Sequence, residues 1–242
     1  MGDDLKYLDW KLLGRTDRLY SRQFRETTNM AVMLAVDASA SMSFPEHGVT
    51  KWRYAATVAA ALAHLVSTQG DAVGLMTMRG DALKYLPPRG GRPHLRGVQA
   101  ELARLEPSGT WQPARVIARA AELLPRRGVI LAISDFYDGE EDTRRELRRA
   151  ARRGHDVGML QIVSPEEVSF PYQGDVEVLD LESDSRRIVD GDSVRSGYRA
   201  AMADFLERCR REAHRDGLDY ALFTTDAAPE RVLRNFLLRR GA

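Results

Sequence analysis

Asp37, Ser39 and Ser41 stand at alternate positions directly after the apolar run Met30 to Val36. One carboxylate and two hydroxyls at that spacing can turn toward a common point. Hard oxygen donors of this kind suit Mg²⁺ or a similar hard cation, and Mn²⁺ and Ca²⁺ accept the same ligands. The plainer alternative is a polar turn that caps the next helix. Two further oxygens occupy comparable places later in the chain. Thr110 follows Ser108-Gly109 just before a helical stretch, and Asp135 ends the apolar run Gly128 to Ser134. Thr110 also suits the N-cap of a helix beginning at Pro113, and the two roles are compatible.

These residues need elements to bring them together. A short continuous apolar run ending in small polar residues reads as a buried parallel strand. Such strands are expected at Met30 to Val36, Asp71 to Arg79, Gly128 to Ser134, Asp156 to Val163 and Leu218 to Thr224. Gly80-Asp81 is a turn signal, so Ala82 to Leu86 is predicted as a short antiparallel strand. Apolar stripes and end signals predict helices over Lys51 to Gln69, His94 to Leu105, Pro113 to Leu124, Glu141 to Arg153, Ser196 to Asp216 and Ala228 to Arg239. Ser43 to Thr50, Pro87 to Pro93 and Pro165 to Pro171 read as loops, and Val176 to Leu181 with Arg186 to Val189 as a hairpin. Arg18 to Arg25 alternates like an edge strand.

The fold class that results is α/β. It has a mostly parallel central sheet, helices on both faces and one short antiparallel edge strand. Ligands of open α/β sheets bind outside the carboxyl ends of the strands. The loops bearing Asp37, Ser39 and Ser41, then Thr110, then Asp135 are therefore expected to converge at one edge of the sheet.

Composition narrows the function classes. Net charge is +1 over 242 residues, so bulk charge points to no polyanion partner. One cysteine allows no internal disulfide and suits a reducing compartment. No apolar run approaches the roughly 20 residues of a membrane-spanning helix, and no signal peptide is visible. A cytoplasmic location is the expectation. There is no Gly-x-Ser-x-Gly elbow and no phosphate-binding glycine loop. Arg144, Arg145, Arg148, Arg149, Arg152 and Arg153 crowd one helix, but no aromatic residue is interleaved with them. A solvated or protein-facing surface is expected there rather than nucleic-acid binding. Asp138, Glu140, Glu141 and Asp142 are ordinary acidic residues for a helix start. Cys209 falls on an apolar stripe and is expected in the core. Trp111 suits either a partner contact at the rim or packing beneath the loop.

Asp37-x-Ser39-x-Ser41, then Thr110, then Asp135, in strand-to-helix context, resembles the metal-ion-dependent adhesion site of von Willebrand factor A-type domains. The resemblance covers residues 29–242 and implies a von Willebrand factor A-like, Rossmann-like domain. It further implies a divalent ion held by Asp37, Ser39, Ser41, Thr110 and Asp135, and completed by an Asp or Glu of a protein partner. The stretch Gly2 to Lys11, with Arg15-Thr16 and Leu19 to Phe24, is similar to the segment preceding that domain in a bacterial family of unknown function. Its members are often encoded beside MoxR-type AAA+ ATPases. The resemblance implies a role beside such an ATPase in assembling or maturing protein complexes. Family members usually carry more chain upstream, often with membrane helices, so residues 1–28 are expected to be the remnant of a longer segment that packs on the domain. A binding module, not an enzyme, is the expectation. The competing reading is a divalent-metal-dependent phosphoester hydrolase. A scaffold that binds no metal is the third.

Overall fold

A computed structural model describes residues 30–79, 81–124, 127–137, 140–179, 181 and 185–240. The strand expected at Arg18 to Arg25, the packing of residues 1–28, and Asp138 lie outside the described residues.

The elements in order are β1 (Ala31–Asp37), a 3₁₀ turn (Ala40–Ser43), α1 (Lys51–Thr68), β2 (Ala72–Arg79), β3 (Ala82–Arg89), α2 (Arg92–Arg104), α3 (Pro113–Leu123) and β4 (Val129–Ser134). There follow α4 (Glu140–Arg152), β5 (Asp156–Val163), α5 (Pro165–Ser169), β6 (Asp175–Leu179), β7 (Arg186–Asp190), α6 (Gly191–Arg215), β8 (Asp219–Thr224) and α7 (Pro229–Arg240). Six strands form one sheet in the order β3-β2-β1-β4-β5-β8, and β6-β7 form a separate hairpin. All pairings in the large sheet are parallel except β2 with β3. The α/β class with one antiparallel edge strand is thus the observed architecture.

β1 lies in the middle of the sheet and is buried along its whole length. Its alternation divides the core in two. Val32, Leu34 and Val36 share one buried cluster with Val58 and Leu62 of α1, Leu102 of α2 and Phe236 of α7. Met33 and Ala35 share the other cluster with Ile117 of α3, Leu147 of α4 and Cys209 of α6. Cys209 is therefore a core residue, as its stripe suggested. Trp111 also belongs to the second core and is buried, which decides for packing beneath the loop over a rim contact.

Three segments depart from the sequence-based expectations. β3 does not stop at Leu86 but continues through Pro87 and Pro88 to Arg89. Proline cannot donate to a ladder, yet an edge strand tolerates it, and a register shift between Val73 and Leu75 accommodates the irregularity. Gly74 sits at that shift, where a Cβ would come within 2.9 Å of the Leu86 carbonyl and the Pro88 nitrogen. Pro165 to Ser169 is helix α5, not loop, because Ser164 and Glu167 close a capping box around its first turn. α6 begins at Gly191, five residues ahead of the expected Ser196, because the Asp190 side chain accepts the Asp192 N–H and starts the helix there. Among the described residues no helix is long and apolar enough to cross a membrane.

Candidate functional site

Parallel register places the site. Val36 of β1 pairs with Ile133 of β4, so Asp37 and Ser134 leave adjacent strands at the same level. Asp37 Oδ1 accepts the Ser39 N–H at 2.8 Å, and its Oδ2 accepts the Ser134 hydroxyl at 2.5 Å. The same Ser134 oxygen accepts the Phe136 N–H at 2.9 Å, which fixes the turn carrying Asp135. Ser39 Oγ and Ser41 Oγ lie 3.0 Å apart, and Ser41 Oγ donates to Asp135 Oδ2 at 3.0 Å. The short 3₁₀ turn after β1 is what swings Ser41 back over the strand end.

The structure thus gathers Asp37, Ser39, Ser41 and Asp135 into one contiguous oxygen set. Thr110 joins through its backbone neighbours. The Ser108 N–H donates to the Ala38 carbonyl at 2.9 Å, and the Ala40 N–H donates to the Gly109 carbonyl at 2.8 Å. The Thr110 side chain itself is exposed, and no hydrogen bond joins its hydroxyl to the other four residues. Nor does it cap the following helix, since the N-cap is Gln112.

Burial gives the site its electrostatics. Asp37, Ser39 and Asp135 are all buried at a strand end. Burial, then the neighbouring Asp135 charge, push the Asp37 carboxyl up from its ordinary value to about 7. Two carboxylates crowded together in low dielectric favour a compensating cation.

One such cation belongs to the chain, and sequence reading missed it. Lys51, the first residue of α1, reaches Asp135 Oδ2 at 2.7 Å and Glu167 Oε1 at 2.6 Å. Burial pushes the Lys51 ammonium down, but the two carboxylates outweigh it and hold the group above its ordinary value. The rings of Tyr137 and Phe44 lie 4.8 and 5.9 Å from its nitrogen. Two further positioning residues also escaped notice. Gln161 on β5 donates to the Asp135 carbonyl at 2.9 Å, and the Tyr220 hydroxyl on β8 donates to Gln161 Oε1 at 2.7 Å. The available signals were a lone glutamine inside an apolar strand and a cation at a helix start, where a cation is disfavoured.

The donor set fits a small hard ion. Oxygens coordinated octahedrally at about 2.0–2.1 Å are about 3 Å apart along an octahedral edge. The Ser39–Ser41 and Ser41–Asp135 oxygen pairs are hydrogen-bonded at 3.0 Å each, a separation that is compatible with such an edge and is also an ordinary hydrogen-bond length. Among the described residues no group of three or more His, Cys, Asp or Glu side chains could hold a metal. A groove of about 650 Å³ lined by Val168, Arg199, Leu206, Tyr220 and Leu222 lies apart from the site and is linked to it through Tyr220.

Four of the five arginines of α4 form ion pairs within the protein. Arg145 pairs with Asp142, Arg149 with Glu146, and Arg144 and Arg148 reach Glu212 and Asp216 of the neighbouring α6 region.

The family described as "Protein of unknown function DUF58" matches residues 1–208. The chain belongs to that family. The uncharacterized protein Rv1480 of Mycobacterium tuberculosis is 33% identical to this DUF58 chain over 185 residues, covering 75% of this chain and 58% of that protein. The chain thus spans little more than half the length of the curated relatives it matches. BatB from Bacteroides thetaiotaomicron has a similar fold, with a TM-score of 0.58 at 16% identity over 88% of this chain and 98% of that one. The SpRpn10 VWA domain has a TM-score of 0.53 at 13% identity, over 87% of this chain and 94% of that one. These likenesses show that the DUF58 chain has a von Willebrand factor A-like fold.

Proposed function

We propose that this chain is a divalent-ion-dependent protein-binding module. Asp37, Ser39, Ser41, Thr110 and Asp135 would hold the ion, with Mg²⁺ first and Mn²⁺ or Ca²⁺ as alternatives. When bound, such an ion supplies a positive centre that a partner's Asp or Glu can complete. The chain's own residues do the preparation. Ser134 and the Ser39 N–H orient Asp37, Gln161 holds the backbone of Asp135, and the Ser108 to Thr110 loop is fixed to the strand-end turn by two backbone hydrogen bonds. The observation that carries the reading is the convergence of Asp37, Ser39, Ser41 and Asp135 in one hydrogen-bonded oxygen set at a buried strand end.

The partner is proposed by resemblance to be a MoxR-type AAA+ ATPase or its client, in the assembly or maturation of protein complexes. A role in binding rather than catalysis is proposed because hydroxyls dominate the set. The test is thermal unfolding with Mn²⁺ or Mg²⁺ against chelator. A ligand that binds only the native state at 100 times its dissociation constant adds about 2.7 kcal/mol. The wild-type midpoint should rise with the ion, and Asp37→Ala should abolish the rise while keeping the fold. An ion-dependent rise of equal size in Asp37→Ala would refute the assignment.

A further inference from the structure

Lys51 is placed against two ordinary preferences. It opens α1, where the positive end of the helix dipole disfavours a cation, and no acidic residue occupies that first turn. It is also buried to 1% exposure, where an unpaired ammonium is costly. Two carboxylates hold it there, and each is fixed from behind. Glu167 Oε2 accepts the Ser164 N–H at 2.8 Å within the capping box, which leaves Oε1 for the lysine. Asp135 Oδ1 accepts the Tyr137 N–H at 3.3 Å, which leaves Oδ2 for the lysine and for Ser41. The oxygen that Asp135 offers to the site therefore already carries an ammonium.

We propose that Lys51 is the resident counter-cation of the site, sharing Asp135 with the divalent ion and lowering the site's affinity for it. The inference rests on the binding-module reading above and deepens it. Glu167 anchors the ammonium on its far side, so Lys51 is not free to swing away when an ion arrives. Ammonium and ion then stay within reach of one oxygen atom, and their repulsion weakens the ion's hold. A purely structural role for Lys51 makes the opposite prediction. Removing a lysine that only shapes the site disorders Asp135 and weakens ion binding. The sign of the change separates the two.

The experiment is calorimetric titration of the full chain with Mn²⁺ alone, for wild type, Lys51→Met and Asp37→Ala. Lys51→Met should bind Mn²⁺ roughly tenfold tighter than wild type or better, and Asp37→Ala should lose the binding. Binding by Lys51→Met with none measurable in wild type is the same result with the wild-type affinity below range. Equal or weaker binding by Lys51→Met, with wild-type binding intact, would overturn the role of Lys51 and leave the binding module standing. Binding by neither protein would overturn both. Lys51→Gln, which keeps a donor near the two carboxylates, stands in if Lys51→Met fails to fold in chelator. Folding of either variant restored by Mn²⁺ supports the exchange of one cation for another. Failure of both to fold even with Mn²⁺ would overturn it.

Discussion

Two sets of ion pairs in this molecule have nearly the same geometry and opposite surroundings. Lys51 and Asp135 meet at 2.7 Å with side chains 1% and 3% exposed. Arg145 and Asp142 on α4 meet at 2.6 Å with side chains 49% and 60% exposed. Distance does not distinguish them; dielectric does. In water the exposed pair gains little and is screened, while the buried pair has given up solvation that only its partner replaces. Helix position points the same way. Asp142 near the start of α4 and Arg149 and Arg152 in its last turn suit the helix dipole, whereas Lys51 at the start of α1 opposes it. The α4 charges are placed where a surface helix prefers them. Lys51 is placed where only the site explains it.

The largest effect should come from cutting the buried pair on the lysine side. Lys51→Met in the ion-free protein leaves Asp135 and Glu167 without their cation, and breaking a buried pair in this way costs about 3–5 kcal/mol. Urea unfolding in chelator measures it. A loss under about 1 kcal/mol would erase the contrast with α4. A smaller loss is expected at Gln161. Gln161→Leu removes the donor to the Asp135 carbonyl and the acceptor of the Tyr220 hydroxyl, leaving buried polar groups unmatched at about 1–3 kcal/mol. Adding Tyr220→Phe should cost less in that background than in wild type, because the hydroxyl has already lost its partner. Strict additivity would show that the two residues do not act as a chain.

Much of this was legible in the amino-acid order, for reasons that differ by region. The central strands announce themselves because they are buried on both faces, so their runs are apolar without interruption and end abruptly in Asp37 and Asp135. Parallel register then brings two such ends together, which is why Asp37, Ser39, Ser41 and Asp135 meet as the spacing suggested. What escaped was decided by short-range polar contacts. α5 is five residues long, too short for a periodic stripe, and Pro165 and Pro171 suggest a loop unless Ser164 and Glu167 are seen as a capping box. Lys51 opens an obvious helix, and periodicity carries no information about a cation whose partners lie 84 and 116 residues away. Thr110 was expected as a ligand or as an N-cap, but only its backbone neighbours reach the site and the N-cap is Gln112. The Thr110 side chain faces solvent, so its contribution depends on what the site holds.

The smallest effect belongs to the exposed pair, and salt sharpens it. Arg145→Ala removes a pair whose two side chains are about half exposed, so the stability change should stay within about 0.5 kcal/mol. Asp142 left alone near the helix start keeps its favourable place against the dipole, which offsets part of even that loss. Raising the salt concentration toward about 1 M shortens the screening length to about 3 Å. The Arg145 effect should then vanish in urea titrations, while the Lys51→Met effect persists, since buried charges are screened much less. Parallel loss of both effects with salt would mean that Lys51 is reached by solvent ions, and the distinction between the two regions would fall with it.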